Sequence, residues 1–272
     1  IYNYIYYMSV KLSNTQNALM GSFGSTIEVL IQHPLITYKN ALQANRKLNP
    51  CIKSIYKGVT INSLTMGPIT SVQFAGFGIF YKQFQKHNII ENHESRSIIS
   101  ATISGALSGF ISGPAELVIV QQQKTDKLFM SLMRYMKKKY GYQVIPKGTF
   151  PCMGREAIYT AGMCSLTPIL ESRLLTSCPS IYKKKSVKSS LSASIGSGLL
   201  AGVISHPFDT IKTHIQNHPD VNSFRATRDL LHTEGWSSLL KGIFPRSLRI
   251  IGTFFIINQC NQFYIKNIFP QF

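Results

Sequence analysis

His206-Pro207-Phe208-Asp209-Thr210-Ile211-Lys212, with Gln216 one helical turn beyond, closes an apolar stretch that begins near Ser190. The same arrangement occurs twice more, as His33-Pro34-Leu35-Ile36-Thr37-Tyr38-Lys39 with Gln43 and as Gly113-Pro114-Ala115-Glu116-Leu117-Val118-Ile119 with Gln123. In all three the glutamine falls nine residues after the proline. A polar stretch follows each one, over 44–57, 124–147 and 217–241, and these end at Tyr56-Lys57-Gly58, Pro146-Lys147-Gly148 and Leu240-Lys241-Gly242. Pro114 to Pro207 is 93 residues and Gly148 to Gly242 is 94, so the second and third copies run nearly in step. The first copy is short: Pro34 to Gly58 spans 24 residues against 34 and 35 in the others, as a deletion in its polar link would produce. Self-similarity at a fixed spacing marks a chain built from related units, here over 1–95, 96–188 and 189–272.

Composition says where such a chain lives. Hydrophobic residues are 44% of the 272 and charged residues only 15%, against about a quarter on an ordinary soluble chain. Six segments, 12–38, 59–84, 97–120, 152–170, 190–215 and 245–268, are each long enough to cross a hydrocarbon layer of about 30 Å. The expected fold class is therefore an all-α integral membrane protein. Glu28, Glu116, Glu156, Glu171, Asp209, Arg155, Lys212 and Arg249 lie inside these segments or at their ends, where charges should face a cavity or partners. The 29 Lys and Arg against 11 Asp and Glu give a formal charge of +18, which suits an anionic membrane. Nucleic acid is not the expected partner, because no basic-aromatic module or zinc spacing accompanies the charge. The five cysteines are scattered without paired spacing and read as small apolar residues, not as a metal or disulfide framework. No glycine-rich phosphate loop, nucleophile triad or metal cluster stands out, so enzymatic chemistry is not expected. Residues 1–7 carry neither a basic leader nor a secretory cleavage pattern.

A threefold Pro-x-[Asp/Glu]-x-x-[Lys/Arg], each followed by Lys-Gly before the next helix, resembles the mitochondrial carrier family. Nearly the whole chain is covered, and the third copy is the best match, with Pro207, Asp209, Lys212, Gln216, Glu234-Gly235-Trp236, Lys241-Gly242, Pro245, Arg246 and Arg249. The resemblance implies six tilted transmembrane helices around a central cavity in the mitochondrial inner membrane, both termini facing the intermembrane space. It also implies alternating access, no prosthetic cofactor, and cardiolipin or another anionic phospholipid at the matrix-side helix ends. Pro34, Pro114 and Pro207 would then be helix kinks that converge on the matrix side. Glu116 with Lys212 and Asp209 with Lys39 would be ion pairs of a matrix gate. The third pair is replaced on both sides, by Ile36 and Ile119, and such double replacement avoids a stranded charge. Gly105 with Gly109 and Gly198 with Gly202 supply close helix contacts at matched distances, whereas the first copy has Ser25 and Val29 there and shifts the contact toward Gly21 and Gly24.

At the opposite face the family's acidic and basic gate places hold Gly78 and Tyr81, Pro168 and Glu171, and Gln262 and Ile265. Closure there is expected to rest on packing by Phe77, Phe80 and Phe263, with the state open to the intermembrane space favoured. The family's substrate contacts fall seven residues after each Lys-Gly glycine, on Thr65 with Met66, on Arg155 with Glu156, and on Arg249. Two guanidinium groups can hold a carboxylate and Glu156 an ammonium, which points to a small carboxylate-bearing, amino acid-like metabolite. Arg155 and Glu156 point about 100° apart on a helix, so one of the two is expected to face the cavity squarely. Glu28 is expected either to add a cavity charge or to pair with Arg249. The alternative is a carrier-like accessory subunit of a large inner-membrane complex.

Overall fold

The computed structural model describes residues 12–43, 51–56, 59–125, 129–179, 181–182, 186–218, 220–240 and 242–268, and everything regular among them is helical. Helices α1 (Asn14–Gln43), α2 (Ile52–Ile55), α3 (Val59–Lys86), α4 (His93–Thr125) and α5 (Phe129–Tyr140) come first. They are followed by α6 (Thr149–Ala161), α7 (Thr167–Ser177), α8 (Val187–Asn217), α9 (Ser223–Glu234) and α10 (Ile243–Asn267). A π-turn over Gly162–Leu166 joins α6 to α7, so those two act as one long rod. The six rods pack in chain order, α1 on α3, α3 on α4, α4 on α6, α6 on α8 and α8 on α10, and α10 returns to α1 to close a ring. Short α5 and α9 lie in the polar links between the members of a pair.

The Lys-Gly signature has a conformational reason. Gly148 and Gly242 cap α6 and α10 at φ 79° and 83°, in the left-handed region that side-chain-bearing residues avoid. Gly148 is also crowded from outside: a Cβ there would stand 2.9 Å from Gln216 Cγ. The glutamine that ends the third copy's motif thus meets the glycine that opens the second copy's even helix. Gln216 Nε2 also donates to the Gly113 carbonyl at 3.1 Å, and Gln121 Nε2 donates to the Gln216 carbonyl at 2.7 Å, tying the ends of α4 and α8 together. Pro34, Pro114 and Pro207 sit inside α1, α4 and α8, each toward the end that leads into a polar link. We call that side of the ring the link end and the other the termini end.

Polarity is inverted relative to a water-soluble bundle. On α4, Ser97, Ser100, Ser104, Ser108 and Ser112 recur every three or four residues and are fully buried, while Ile98, Ile99, Leu107, Phe110 and Ile111 face outward. The hydroxyls are satisfied locally or across the interface: Ser100 donates to the Arg96 carbonyl at 2.7 Å and Ser104 to the Gln73 carbonyl at 2.6 Å. Small side chains allow the backbones to approach. A Cβ on Gly109 would stand 2.5 Å from Met153 Cα, and one on Gly198 2.9 Å from Ile251 Cα. In the first pair the close contact moves to Gly21, whose Cβ would lie 2.6 Å from the Thr70 carbonyl oxygen, while Ser25 bonds Thr70 at 2.8 Å.

Six apolar crossings are not what the helices present by composition. Among the described residues, His93–Val118 and Val187–Asn217 are long and apolar enough to cross a membrane, each at mean hydropathy 1.3. Inward-facing polar groups are also carried by the other rods, Glu28 on α1, Gln73 on α3, Arg155 and Glu156 on α6, and Arg246 and Arg249 on α10, and these lower their average hydropathy.

Candidate functional site

A cavity of about 520 Å³ occupies the ring. It runs from Ser25, Thr70 and Ile257 at mid-bundle to Thr213, His214, Asn217 and Ser238 at the link end. The termini end is closed by apolar packing of Met20, Phe74, Phe77, Met163, Phe254, Ile257 and Ile265. Closure by packing follows the sequence reading, but the open side does not: the cavity extends toward the link end, opposite to the state the sequence favoured. Of the aromatic residues expected to close the termini end, Phe77 is buried, Phe80 is half-buried and pairs with Phe84, and Phe263 is exposed. Phe74 and Phe254, from the inward turns of α3 and α10, close it along with Phe77.

The cavity wall near its centre carries a charge network. Arg155 on α6 donates to Glu116 on α4 at 2.5 Å, to Asp209 on α8 at 3.4 Å, and to its own neighbour Glu156. Glu116 also pairs with Lys212, and Asp209 pairs with Arg246 on α10 and lies 3.8 Å from Lys212. Three carboxylates thus face three cations, and the group spans four rods. Gln73 Nε2 donates to Glu156 at 2.9 Å and to Ser108 at 3.1 Å, fixing the remaining carboxylate oxygen. Arg155 and Glu156, although adjacent in sequence, both line the cavity. The long guanidinium arm reaches round the helix, which removes the restriction that the 100° offset suggested.

Glu116, Cys152 and Glu156 bring three possible metal-ligand atoms within 4.8 Å of one another, which no sequence spacing announced. The Arg155 guanidinium already lies among them, 3.8 Å from Cys152 Sγ and bonded to both carboxylates, so the cluster's negative charge is answered by the chain itself.

Of the other residues singled out in the sequence, Arg249 and Met66 line the cavity; Thr65 is half-buried and is not among its lining residues. Glu28 lines it too and accepts a hydrogen bond from Thr253 at 2.9 Å; no carboxylate lies within 4 Å of Arg249 among the described residues. The expected Asp209–Lys39 pair and the expected Ile36–Ile119 contact involve side chains that lie outside the described residues. Gln73, Thr253 and Gln32, which bonds Thr253 at 3.1 Å, were not foreseen; the available signal was an amide or hydroxyl inside an apolar segment.

A closed ring of helices, apolar outside and polar within, around a charged cavity that extends toward one end, is the architecture of a helical membrane protein with a polar interior. Residues 183–268 match the family profile described as "Mitochondrial carrier protein". The chain is 27% identical to the mitochondrial substrate carrier family protein ucpB of Dictyostelium discoideum over 74% of its length and 72% of that protein. It is 26% identical to a probable mitochondrial 2-oxoglutarate/malate carrier protein of the same organism, over 79% and 73% of the two chains. It is 27% identical to the mitochondrial carnitine/acylcarnitine carrier protein of Macaca fascicularis, over 85% and 87%. The chain is thus similar to mitochondrial carriers over most of its length, and its last third matches the profile of that family.

Proposed function

We propose that this protein carries a small carboxylate-bearing metabolite across the mitochondrial inner membrane by alternating access. The observation that supports it most is Arg249, a guanidinium on the wall of a cavity of about 520 Å³ with no carboxylate within 4 Å among the described residues. A cation in such a place is expensive unless an anion or water reaches it, and a carboxylate accepted in fork geometry satisfies it well. Two relatives are named for 2-oxoglutarate/malate and for carnitine/acylcarnitine, molecules that share a carboxylate. In this reading all six rods cross the membrane, both termini face the intermembrane space, and the link end faces the matrix. Arg249 and Met66 flank the cargo, Thr65 stands beside Met66 outside the cavity lining, and Arg155 and Glu156 meet the cargo when the network with Glu116, Asp209 and Lys212 rearranges. Pro34, Pro114 and Pro207 mark where the odd helices bend, and Lys39, Ile36 and Ile119 complete the gate. The three repeats are 1–95, 96–188 and 189–272. Anionic phospholipid such as cardiolipin sits against the basic link end, and no prosthetic cofactor takes part.

The test is uptake by purified protein in liposomes across a panel of amino acids, keto acids and dicarboxylates, with Arg249→Ala alongside. Carrier function predicts uptake of at least one carboxylate and its loss in R249A. A second reading, a carrier-like accessory subunit of a large inner-membrane complex, is favoured by one observation: Arg155 is already tied to three carboxylates. It predicts no uptake by the unmodified protein and comigration with a large complex that R155A weakens.

A further inference from the structure

We propose that the carried molecule is a zwitterion, its carboxylate on Arg249 and its cationic group on Glu28, an inference that rests on the carrier reading above. The charge count on the cavity wall leads there. Arg155, Lys212 and Arg246 are matched one for one by Glu116, Glu156 and Asp209 through direct contacts. Setting aside those six, of which Lys212 stands behind the lining, the charged side chains left on the wall among the described residues are Arg249 and Glu28, one of each sign and near enough to attract each other.

Their placement is set by Thr253. It lies four residues after Arg249 on α10, so the two share one helix face. Its hydroxyl donates to Glu28 on α1 at 2.9 Å and also bonds the Arg249 carbonyl at 3.0 Å. The carboxylate and the guanidinium therefore border the same stretch of cavity, where α1 meets α10. Glu28 is 4% exposed and keeps one oxygen on Thr253, which leaves acceptor capacity for an ammonium donor. Tyr159 stands within reach of Thr253 and Glu28 on the same wall, and an aromatic ring beside a carboxylate suits an alkylated ammonium as well.

The arrangement discriminates between anions. A dicarboxylate that places one end on Arg249 brings its other charge toward Glu28, and like charges at close range in a poorly solvated site repel strongly. A simple monocarboxylate on Arg249 offers Glu28 no cation of its own, so two carboxylates share one guanidinium. A zwitterion satisfies both, and the size of the cavity falls within the range of small-ligand sites.

The experiment uses the full chain in phosphatidylcholine–cardiolipin liposomes. Uptake is compared for 4-aminobutyrate and glycine betaine as zwitterions, butyrate as monoanion, succinate as dianion and choline as cation without carboxylate. The expected result is zwitterion uptake at least about tenfold above succinate, butyrate and choline, one charge-assisted contact being worth about that factor. In Glu28→Gln that preference collapses toward the level of butyrate, while R249A loses every carboxylate. The comparison among probes on the unmodified protein needs no variant, so a folding defect in E28Q does not remove the test. Preferential uptake of succinate or butyrate, or a zwitterion preference intact in a folded E28Q, overturns the inference and leaves the carrier reading standing. Uptake of none of the carboxylates overturns the carrier reading itself.

Discussion

Arg155 Nη2 lies 2.5 Å from Glu116 Oε1, joining the second rod of the middle pair to the first, and the same guanidinium reaches Asp209 on α8 at 3.4 Å. One side chain thereby links the central cavity to the residues at the link end. In an interior with little water, a guanidinium and three carboxylates hold only because Lys212 and Arg246 complete the balance.

Removing Arg155 should therefore be severe. In R155A, Glu116 keeps Lys212 and Asp209 keeps Arg246, but Glu156 is left with the Gln73 amide as the one described donor. Stranding a buried carboxylate costs about 3–5 kcal/mol. R155K should cost less, since an ammonium supplies charge but not a fork. R155M/E156M should recover part of the loss by making both partners apolar. Thermal unfolding in detergent measures this; an R155A protein as stable as the unmodified one would show that the network carries no weight.

The glycine contacts make a contrasting pair of substitutions. G109A pushes a methyl against the Met153 backbone, 2.5 Å from its Cα, and neither side can yield. It should destabilise by about 1–3 kcal/mol. At Gly196 the nearest atom is the Leu170 Cδ1, at 3.3 Å and at the free end of a side chain. G196A should be neutral or slightly stabilising, because alanine favours helix by up to about 1 kcal/mol. Equal effects at the two positions would refute this reading of the α4–α6 interface.

What could be read from the sequence was what depends on spacing. The three prolines and the Gly-x-x-x-Gly contacts are local patterns repeated at matched distances and lie within the helices expected, while Gly148 and Gly242 of the Lys-Gly signature stand as N-caps just before theirs. The Glu116–Lys212 contact was expected from the pairing that the family resemblance implies, the repeat supplying only the two positions. Arg155's role was not, because helix phase gives the direction of a Cα–Cβ bond, whereas an arginine reaches several ångströms beyond it. The direction in which the cavity opens was not legible either. It depends on whether Phe74, Phe77 and Phe254 meet across the bundle, a long-range packing outcome that no local spacing encodes.

Those aromatic residues yield a third prediction. Phe254 is 1% exposed at the centre of the apolar closure, with its ring 5.2 Å from that of Tyr159. F254A should cost about 3–5 kcal/mol through the space it leaves, and it should loosen the termini end specifically. Cys164, 8% exposed within the same packing, then becomes reachable by a membrane-impermeant thiol reagent. Mass spectrometry of labelled Cys164 in F254A against the unmodified protein reads this directly. Unchanged labelling in a variant that still folds would mean that other contacts seal that end.

The last prediction concerns polarity across α4 and α8. Glu116→Lys alone places a third cation beside Arg155 and Lys212, and Lys212→Glu alone places a further carboxylate beside Glu116 and Asp209. Each single change replaces attraction by repulsion in a poorly solvated site, so each should sharply lower the amount of folded protein recovered from membranes. The double variant E116K/K212E restores the pair with its sign reversed. It does not restore everything, because Arg155 now faces a lysine on α4 and Asp209 faces a glutamate one turn along α8. The double should therefore be clearly more stable than either single change, yet less stable than the unmodified protein. A full double-mutant cycle of unfolding temperatures provides the measurement. A coupling indistinguishable from zero would mean that Glu116 and Lys212 are solvated separately, and that the rods are held by packing alone.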